Sequence, residues 1–265
     1  MKCEFSFRFF HDSKLMDQQD SIFTQKFPVQ YRDIDSSGYA NIMSFFNNFQ
    51  EIGFNHADLL TQKYSGIKEF SYAVVWTRLK VVMSRFPKWK EILTYSSWIS
   101  PVIKDSRFAV RNFEIKDSQN KQIGFGYGSM VFFDIIKRKS IEIPKELISY
   151  PTHDNPIGNN EFSKLGKLST YDHRITIQTH YTDLDIYQHV NNVRYITWAI
   201  DSMPIDLIKK KKCYETEIHF LNEAKNGIII NVNTKILAEN EKISANHELI
   251  RGDGRPIARI KTFWM

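Results

Sequence analysis

The chain contains an internal repeat, and this feature limits its architecture more than any other. Tyr31–Asp35 and Tyr181–Asp185 both read Tyr-x-Asp-aliphatic-Asp, at an offset of 150 residues. The correspondence continues at the same offset from Asn41 to Asn191. Repetition over such a distance is typical of related folding units within one chain. We therefore expect two units of similar design, each with about half of the 265 residues.

The pattern around the first copy predicts a strand, a helix and four further strands. Apolar side chains recur at three- and four-residue steps between Ile42 and Leu60, which is the period of one buried helix face. A strand near Phe23–Gln30 precedes this helix. Alternating or β-branched runs then predict strands near Phe70–Met83, Glu91–Val102, Arg107–Lys116 and Lys121–Phe133.

The second copy is followed by the same order of elements. We expect a strand near Arg174–His180, a helix over about Val190–Met203 and strands to the end of the sequence. Asn226-Gly227 and Asp253-Gly254 lie between alternating runs, and such dipeptides favour tight hairpin turns. Each unit is therefore predicted to be an antiparallel sheet around a central helix. This is an α+β arrangement, in which the two sheets can join edge to edge.

A polar segment between the two units marks the predicted domain boundary. Residues 151–167 hold Pro156 and Gly158 among few apolar side chains, as is typical of a connection that crosses the surface. We assign residues 1–150 to an N-terminal unit, residues 151–167 to a linker and residues 168–265 to a C-terminal unit.

Composition narrows the class of protein and of partner. Lys and Arg exceed Asp and Glu by 36 to 30, and the net charge of +6 favours an acidic partner or substrate. Cys3 and Cys213 form no metal or redox spacing, so a reducing, cytosolic compartment is expected. No signal peptide is predicted, because Glu4 and Arg8 interrupt the start of the chain and no small-residue cleavage site follows an apolar core. No membrane span is predicted, because no apolar stretch reaches about 18 residues.

Glycines alternate at positions 124, 126 and 128 within a predicted strand. A dinucleotide-binding loop would open a helix instead, so this alternation predicts a close-packed neighbour on one face of the strand.

The two copies differ at His189, whose imidazole can accept a proton. Asp35 and Asp185 match, and a short acid before a helix commonly accepts hydrogen bonds from free backbone N–H groups. His189, however, corresponds to Tyr39, so the start of the helix does not require an imidazole. A histidine before a helix is favoured as a neutral base, because the helix dipole lowers its pKa. A half-buried histidine bonded to backbone is the structural alternative.

The segment Asp185–Trp198 closely resembles the central motif of the acyl-acyl-carrier-protein thioesterases, a double-hotdog family. The resemblance extends to Phe220–Ala224 and, in the first unit, to Tyr31–Asn41 and Trp76–Leu79. It covers nearly the full chain. It implies a tandem hotdog, in which each unit is an antiparallel sheet wrapped around a central helix.

The resemblance assigns Asp185, His189 and Glu223 to the active site. Tyr187 stands where plant members of the family carry a catalytic asparagine, and its phenol is either a hydrogen-bond donor or part of the pocket wall. Ala224 stands where the family often has cysteine, which excludes a covalent thiol mechanism.

The implied reaction is hydrolysis of a fatty acyl thioester by an activated water molecule. We expect Glu223 and His189 to position and deprotonate the water, while Asp185 fixes the local geometry. Backbone N–H groups near Val190 and Asn191 are expected to stabilise the oxyanion.

An acyl chain needs an apolar slot, since each buried methylene contributes about 0.8 kcal/mol. Phe45 and Phe49 are candidate substrate-binding residues for this slot, as is Asn191, with plain core packing as the alternative for the rings. The family implies an acidic acyl carrier protein as partner. Lys137–Lys139 and Lys209–Lys212 are candidate docking charges, or ordinary solvated runs.

The sequence also leads to expectations about cofactors, assembly and alternative functions. No metal, cofactor or nucleic acid is expected, and the protein is expected to be a monomer or a homodimer. An acyl-CoA thioesterase is the alternative enzyme, because carrier choice depends on surface charge. A non-catalytic acyl-binding hotdog protein is the alternative of a different class.

Overall fold

The computed structural model describes residues 18–65, 72–102, 106–134, 136–239 and 242–265. Cys3 and the predicted strand start at Phe70 lie outside the described residues. The described chain forms eleven strands and four α-helices. No helix among these residues is long and apolar enough to span a membrane.

The first unit wraps its strands around one long helix, α1 (Ile42–Leu60). The Asn41 side chain accepts a hydrogen bond from the N–H of Ser44 and so caps the helix. The strands are β1 (Ile22–Pro28), β2 (Tyr72–Met83), β3 (Ile92–Ile99), β4 (Phe108–Lys116), β5 (Gln122–Asp134) and the short β6 (Lys139–Ile141), followed by helix α2 (Lys145–Ile148). The predicted helix and its five strands are confirmed.

The second unit repeats this order with a shorter helix, α3 (Asn192–Asp201). Its strands are β7 (His173–Gln178), β8 (Cys213–Phe220), β9 (Ile229–Glu239), β10 (Lys242–Arg251) and β11 (Pro256–Trp264). Helix α4 (Ile205–Lys210) lies between α3 and β8 and was not predicted from the sequence.

All strands belong to one sheet, ordered β1-β3-β4-β5-β2-β8-β11-β10-β9-β7, with β6 on β5. The two units meet where β2 pairs antiparallel with β8, with Lys80 opposite Glu217. The order is the same when read outward from this junction in either direction, so a pseudo-two-fold axis relates the units. The tandem hotdog and the edge-to-edge joining of its sheets are confirmed.

One of the two predicted hairpins is wrong. Asp253-Gly254 does join the paired strands β10 and β11. Asn226-Gly227 forms a tight turn, with Gly227 at φ +74°, but it connects β8 to β9, which are not neighbours in the sheet. The N–H of Gly227 donates to the carbonyl of Thr179, which directly follows β7, at 2.9 Å. From this turn the chain crosses to β9, the neighbour of the edge strand β7.

The alternating glycines on β5 let aromatic rings lie directly on the sheet. A Cβ on Gly126 would lie 2.3 Å from the Phe49 ring, and one on Gly128 would lie 2.3 Å from the Trp76 ring. This close approach confirms the prediction of a packed neighbour.

Residues 151–172, here called the strap, form no helix or strand and cross from one unit to the other. Two buried carboxylates hold the strap. The N–H of Ser163 donates to Glu217 on β8 at 2.7 Å, and the N–H of Leu168 donates to Glu248 on β10 at 3.2 Å.

Candidate active site

The loop before α3 is closed by Asp185. Its N–H donates to the carbonyl of His189 at 2.8 Å, and its carboxylate accepts the N–H groups of Tyr187 at 2.8 Å and His189 at 3.3 Å. Asp185 therefore fixes the turn that presents His189. Gln188 adopts φ +62° in this turn, where the first unit has Gly38 at φ +80°. A non-glycine residue in this region is strained, and such strain concentrates at functional loops.

A second segment is fastened to the start of α3. The N–H of Val190 donates to the carbonyl of Ala224 at 2.9 Å, and the N–H of Ala224 donates to the Tyr195 hydroxyl at 3.3 Å. Tyr195 is buried, and burial raises the pKa of its phenol above the ordinary value. Glu223 directly precedes Ala224. These bonds therefore place the Glu223 side chain next to that of His189.

The imidazole of His189 and the carboxylate of Glu223 meet, with Nε2 and Oε2 3.3 Å apart. Their side chains are 31% and 46% exposed, so water reaches both groups. The structure thus brings His189, Glu223 and the loop-closing Asp185 together. A water molecule beside this pair would find both a proton acceptor and a group that orients it.

Asn191 acts as a helix cap. Its side-chain oxygen accepts the N–H of Val193 at 2.9 Å, and its own N–H donates to the carbonyl of Asp183 at 2.8 Å. This capping role comes in addition to the expected role of Asn191 in binding substrate, which stays a prediction. The expected oxyanion donors are corrected, because the N–H groups of both Val190 and Asn191 already bond to carbonyls.

Asn192 offers the donor that sequence reasoning missed. It is the first residue of α3, where a backbone N–H has no partner within the helix. In the described part of the chain this N–H donates to no backbone or side-chain acceptor. Asn192 also lines a cavity, and helix N-termini favour negative charge.

A small apolar cavity, with room for about one water molecule, lies between the two units and reaches the start of α3. The first unit lines it with Phe46, Phe49, Gln50, Trp76, Leu79 and Phe113, and the second with Asn192, Val193, Ile196 and Phe220. Phe49 is thus a lining residue. Phe45 does not line the cavity. Its buried ring packs against the ring of Phe86, with the two ring centres 6.3 Å apart. The lining rings on β2 and β4 were missed because they come from strands whose alternation predicts only burial.

The candidate Tyr187 and the thiol of Cys213 both lie away from the cavity. Tyr187 is 62% exposed, so its ring does not form a pocket wall. Cys213 is buried at the start of β8 with Thr216, and burial raises the pKa of its thiol to about 12, which makes it a poor nucleophile. Over the residues that the structure describes, no three metal-ligating side chains cluster.

Known proteins of one family match both units. The family model for the acyl-ACP thioesterase N-terminal domain matches residues 20–150, and that for the C-terminal domain matches residues 167–265. The palmitoyl-acyl carrier protein thioesterase of Arabidopsis thaliana is 26% identical over 93% of this chain. The chain spans only 65% of the length of that chloroplastic relative.

Solved structures agree on the fold. An acyl-ACP thioesterase from Bacteroides thetaiotaomicron superposes with a TM-score of 0.82 and 23% identity, covering 94% of this chain and 100% of that one. The 12:0-ACP thioesterase from Umbellularia californica gives a TM-score of 0.83 and 21% identity, covering 92% and 94%. Both family models match at the positions of the two units, and the chain belongs to the acyl-ACP thioesterase family.

Proposed function

We propose that this protein hydrolyses fatty acyl-ACP thioesters and releases free fatty acid. The observation that carries the proposal is the contact between His189 and Glu223, beside an apolar cavity lined by both units. Asn192 and Phe220, which line the cavity, are each three residues from one member of the pair. The cavity has room for about one water molecule, so the lining side chains have to move apart to admit an acyl chain. A chain bound there would hold its thioester next to the acid–base pair.

In the proposed reaction, water attacks the thioester carbonyl carbon and gives its proton to the His189–Glu223 pair. The carbonyl oxygen becomes an oxyanion, which the N–H of Asn192 stabilises. Collapse breaks the carbon–sulfur bond, and the proton passes from the pair to the departing sulfur. The products are a carboxylic acid and a free carrier thiol. Asp185 acts by holding the loop in shape.

The proposed carrier is an acidic acyl carrier protein, and exposed lysines support this choice. Lys209 and Lys210 are exposed at the end of α4, and Lys225 is exposed two residues after Glu223. Lys212 is not free for docking, because it forms an ion pair with Asp35. Lys137 is exposed and lies 3.6 Å from Asp134.

The domain assignment is part of the proposal. We assign the catalytic side chains to residues 168–265, the larger part of the acyl slot to residues 1–150, and the connection to residues 151–167. Because β2 pairs with β8 inside one chain, the protein needs no second copy to complete its sheet, and we propose a monomer or a homodimer.

The test measures thiol release from an acyl-ACP and from the matching acyl-CoA, side by side. We expect hydrolysis of both, with the larger kcat/KM for the acyl-ACP. We also expect its KM to rise with salt, since exposed charges are screened. A larger kcat/KM for acyl-CoA would make coenzyme A the preferred carrier in place of acyl carrier protein. Binding of acyl chains without thiol release would replace hydrolysis by a non-catalytic binding role.

A further inference from the structure

The first unit keeps the frame of the active-site loop. The N–H of Asp35 donates to the carbonyl of Tyr39 at 3.0 Å, as Asp185 does to His189 at 2.8 Å. Residues at these positions therefore correspond in three dimensions as well as in sequence. The first unit has a phenol ring where the second has the imidazole.

The counterpart of Glu223 follows from a second backbone bond. The N–H of Ala40 donates to the carbonyl of Pro87 at 2.9 Å, just as Val190 donates to Ala224. Pro87 thus corresponds to Ala224, and the residue before it, Phe86, corresponds to Glu223. The first unit has an aromatic ring in place of this carboxylate, so only Asp35 retains an acid.

A lysine from the second unit occupies this counterpart of the active site. The Nζ atom of Lys212 lies 2.9 and 3.1 Å from the two carboxylate oxygens of Asp35. It also lies 5.2 Å from the centre of the Tyr39 ring and 5.4 Å from that of Phe86. These three contacts are with the counterparts of Asp185, His189 and Glu223. A carboxylate with two aromatic faces is a favourable environment for an ammonium group.

The charge state of Asp35 is consistent with a bound ammonium group. The Nζ atom of Lys88 also lies 5.4 Å from the centre of the Tyr39 ring, so a second ammonium group is close to this ring. Partial burial raises the pKa of Asp35, but hydrogen bonds from Ser37 and Lys212 outweigh it and hold the pKa below its ordinary value. The carboxylate therefore stays charged.

The backbone of Lys212 is fixed independently of its side chain. Its N–H donates to the carbonyl of Met265 at 2.8 Å, and its carbonyl accepts the N–H of Met265 at 3.0 Å. The side chain thus reaches the first unit from a rigid strand end. Its ion pair links the two units at a point outside the β2–β8 ladder.

The pseudo-two-fold axis shows why only one site is filled. Lys80 lies opposite Glu217 at the axis, and Lys212 is five residues before Glu217. The corresponding residue, five before Lys80, is Val75. The second unit therefore receives no ammonium group from this position, and its acid–base pair stays open to a ligand.

We propose that Asp35, Tyr39 and Phe86 form an ammonium-binding site, which Lys212 occupies as a latch between the two units. Its ligand class is a primary alkylammonium ion, supplied here by the chain itself. The site is the degenerate twin of the catalytic site and has exchanged acid–base chemistry for cation binding.

The test is chemical rescue of Lys212→Ala by ethylammonium, read as the thermal unfolding midpoint. Sodium chloride at equal ionic strength is the reference salt. In Lys212→Ala we expect ethylammonium to raise the midpoint, with saturation, by about 2–4 °C over sodium, as binding energy of about 1 kcal/mol gives in a chain of this size. In the unsubstituted protein the two salts should give equal midpoints, because Lys212 fills the site.

Two further variants make the assignment specific. Lys212→Met places an apolar chain between the rings, so its midpoint should not respond to ethylammonium. The double variant Asp35→Asn with Lys212→Ala should lose the response, because the carboxylate is gone. If Lys212→Ala does not fold in sodium chloride, the recovered fraction of folded protein in ethylammonium is the readout.

An equal effect of the two salts on Lys212→Ala would overturn the proposal. So would a response that persists in the double variant. The readout is stability, so it is independent of whether the proposed thioester hydrolysis is correct.

Discussion

The imidazole Nε2 of His189 lies 3.3 Å from a carboxylate oxygen of Glu223, across two segments joined by the bond from Val190 to Ala224. The same backbone bond exists in the first unit, between Ala40 and Pro87. The frame is therefore common to both units, whereas the acid–base pair belongs to the second alone. In the proposed mechanism, catalysis depends on which side chains stand at two positions of a shared scaffold.

Removing the N–H of Asn192 should lower turnover without damaging the helix. Proline is favoured at the first position of a helix, where its missing N–H is not needed. Asn191 already has φ −58° and ψ 136°, which a following proline accepts. We expect Asn192→Pro to lower kcat by about 10²- to 10³-fold, as loss of one oxyanion donor does.

The control for this variant is Asn192→Ala, which removes the same side chain but keeps the N–H. Its kcat should stay within a few-fold of the unsubstituted protein, and both variants should unfold at similar denaturant concentrations. Equal kcat values for the proline and alanine variants would assign the oxyanion to another donor.

Glu223→Gln should show whether Glu223 acts as a catalytic carboxylate or only as a surface charge. The amide keeps the size of the side chain but accepts no proton, so kcat should fall by about 10²-fold or more while KM changes little. Glu239→Gln, an exposed site on β9, is the matched control for loss of one negative charge. A Glu223→Gln variant as active as this control would make Glu223 a solvent-exposed residue without a role in the reaction.

The protein should lose stability in mild acid because of two buried histidines. Burial, with the positive charge of Arg111, lowers the pKa of His56 to about 3, and burial alone lowers that of His247 to about 3. Below about pH 6.5 the unfolded chain takes up these protons and the folded one does not, so stability present above that pH is lost as the pH falls.

Each buried histidine should cost about 2 kcal/mol of unfolding free energy between pH 6.5 and pH 5. Urea unfolding at the two pH values measures this loss. His247→Gln should reduce the pH dependence, whereas His173→Gln, at an exposed site on β7, should leave it unchanged. The same slope in both variants would contradict the assignment to His247.

Gly126→Ala should destabilise the fold where an aromatic ring rests on the sheet. The added Cβ would lie 2.3 Å from the Phe49 ring and 2.5 Å from the carbonyl oxygen of Lys80, so the backbone has to move. We expect a loss of about 1–3 kcal/mol in unfolding free energy, as overpacking gives. Gly166→Ala, which has no atom within 4 Å of the new Cβ, should be nearly neutral in the same measurement.

The repeat and the hydrophobic periods were sufficient to predict the tandem fold, because each unit has one strongly patterned helix and regularly alternating strands. The crossing from β8 to β9 was not predictable, since Asn226-Gly227 specifies a tight turn but not which strands pair beside it. The meeting of His189 with Glu223 followed from the family resemblance rather than from spacing. Asn191 caps the helix, whereas the N–H of the next residue, Asn192, has no acceptor among the residues that the structure describes. Assigning these two roles to neighbouring residues required the observed start of α3.

The central claim is that the imidazole of the second unit takes part in thioester hydrolysis. Its most direct test is kcat/KM of His189→Ala on an acyl-ACP, with folding checked by thermal unfolding and exposed-site His173→Ala as control. We predict a fall of at least about a hundredfold for His189→Ala, the range of general-base catalysis, and no change for the control. A folded His189→Ala variant that hydrolyses acyl-ACP at the rate of the unsubstituted protein would contradict the account.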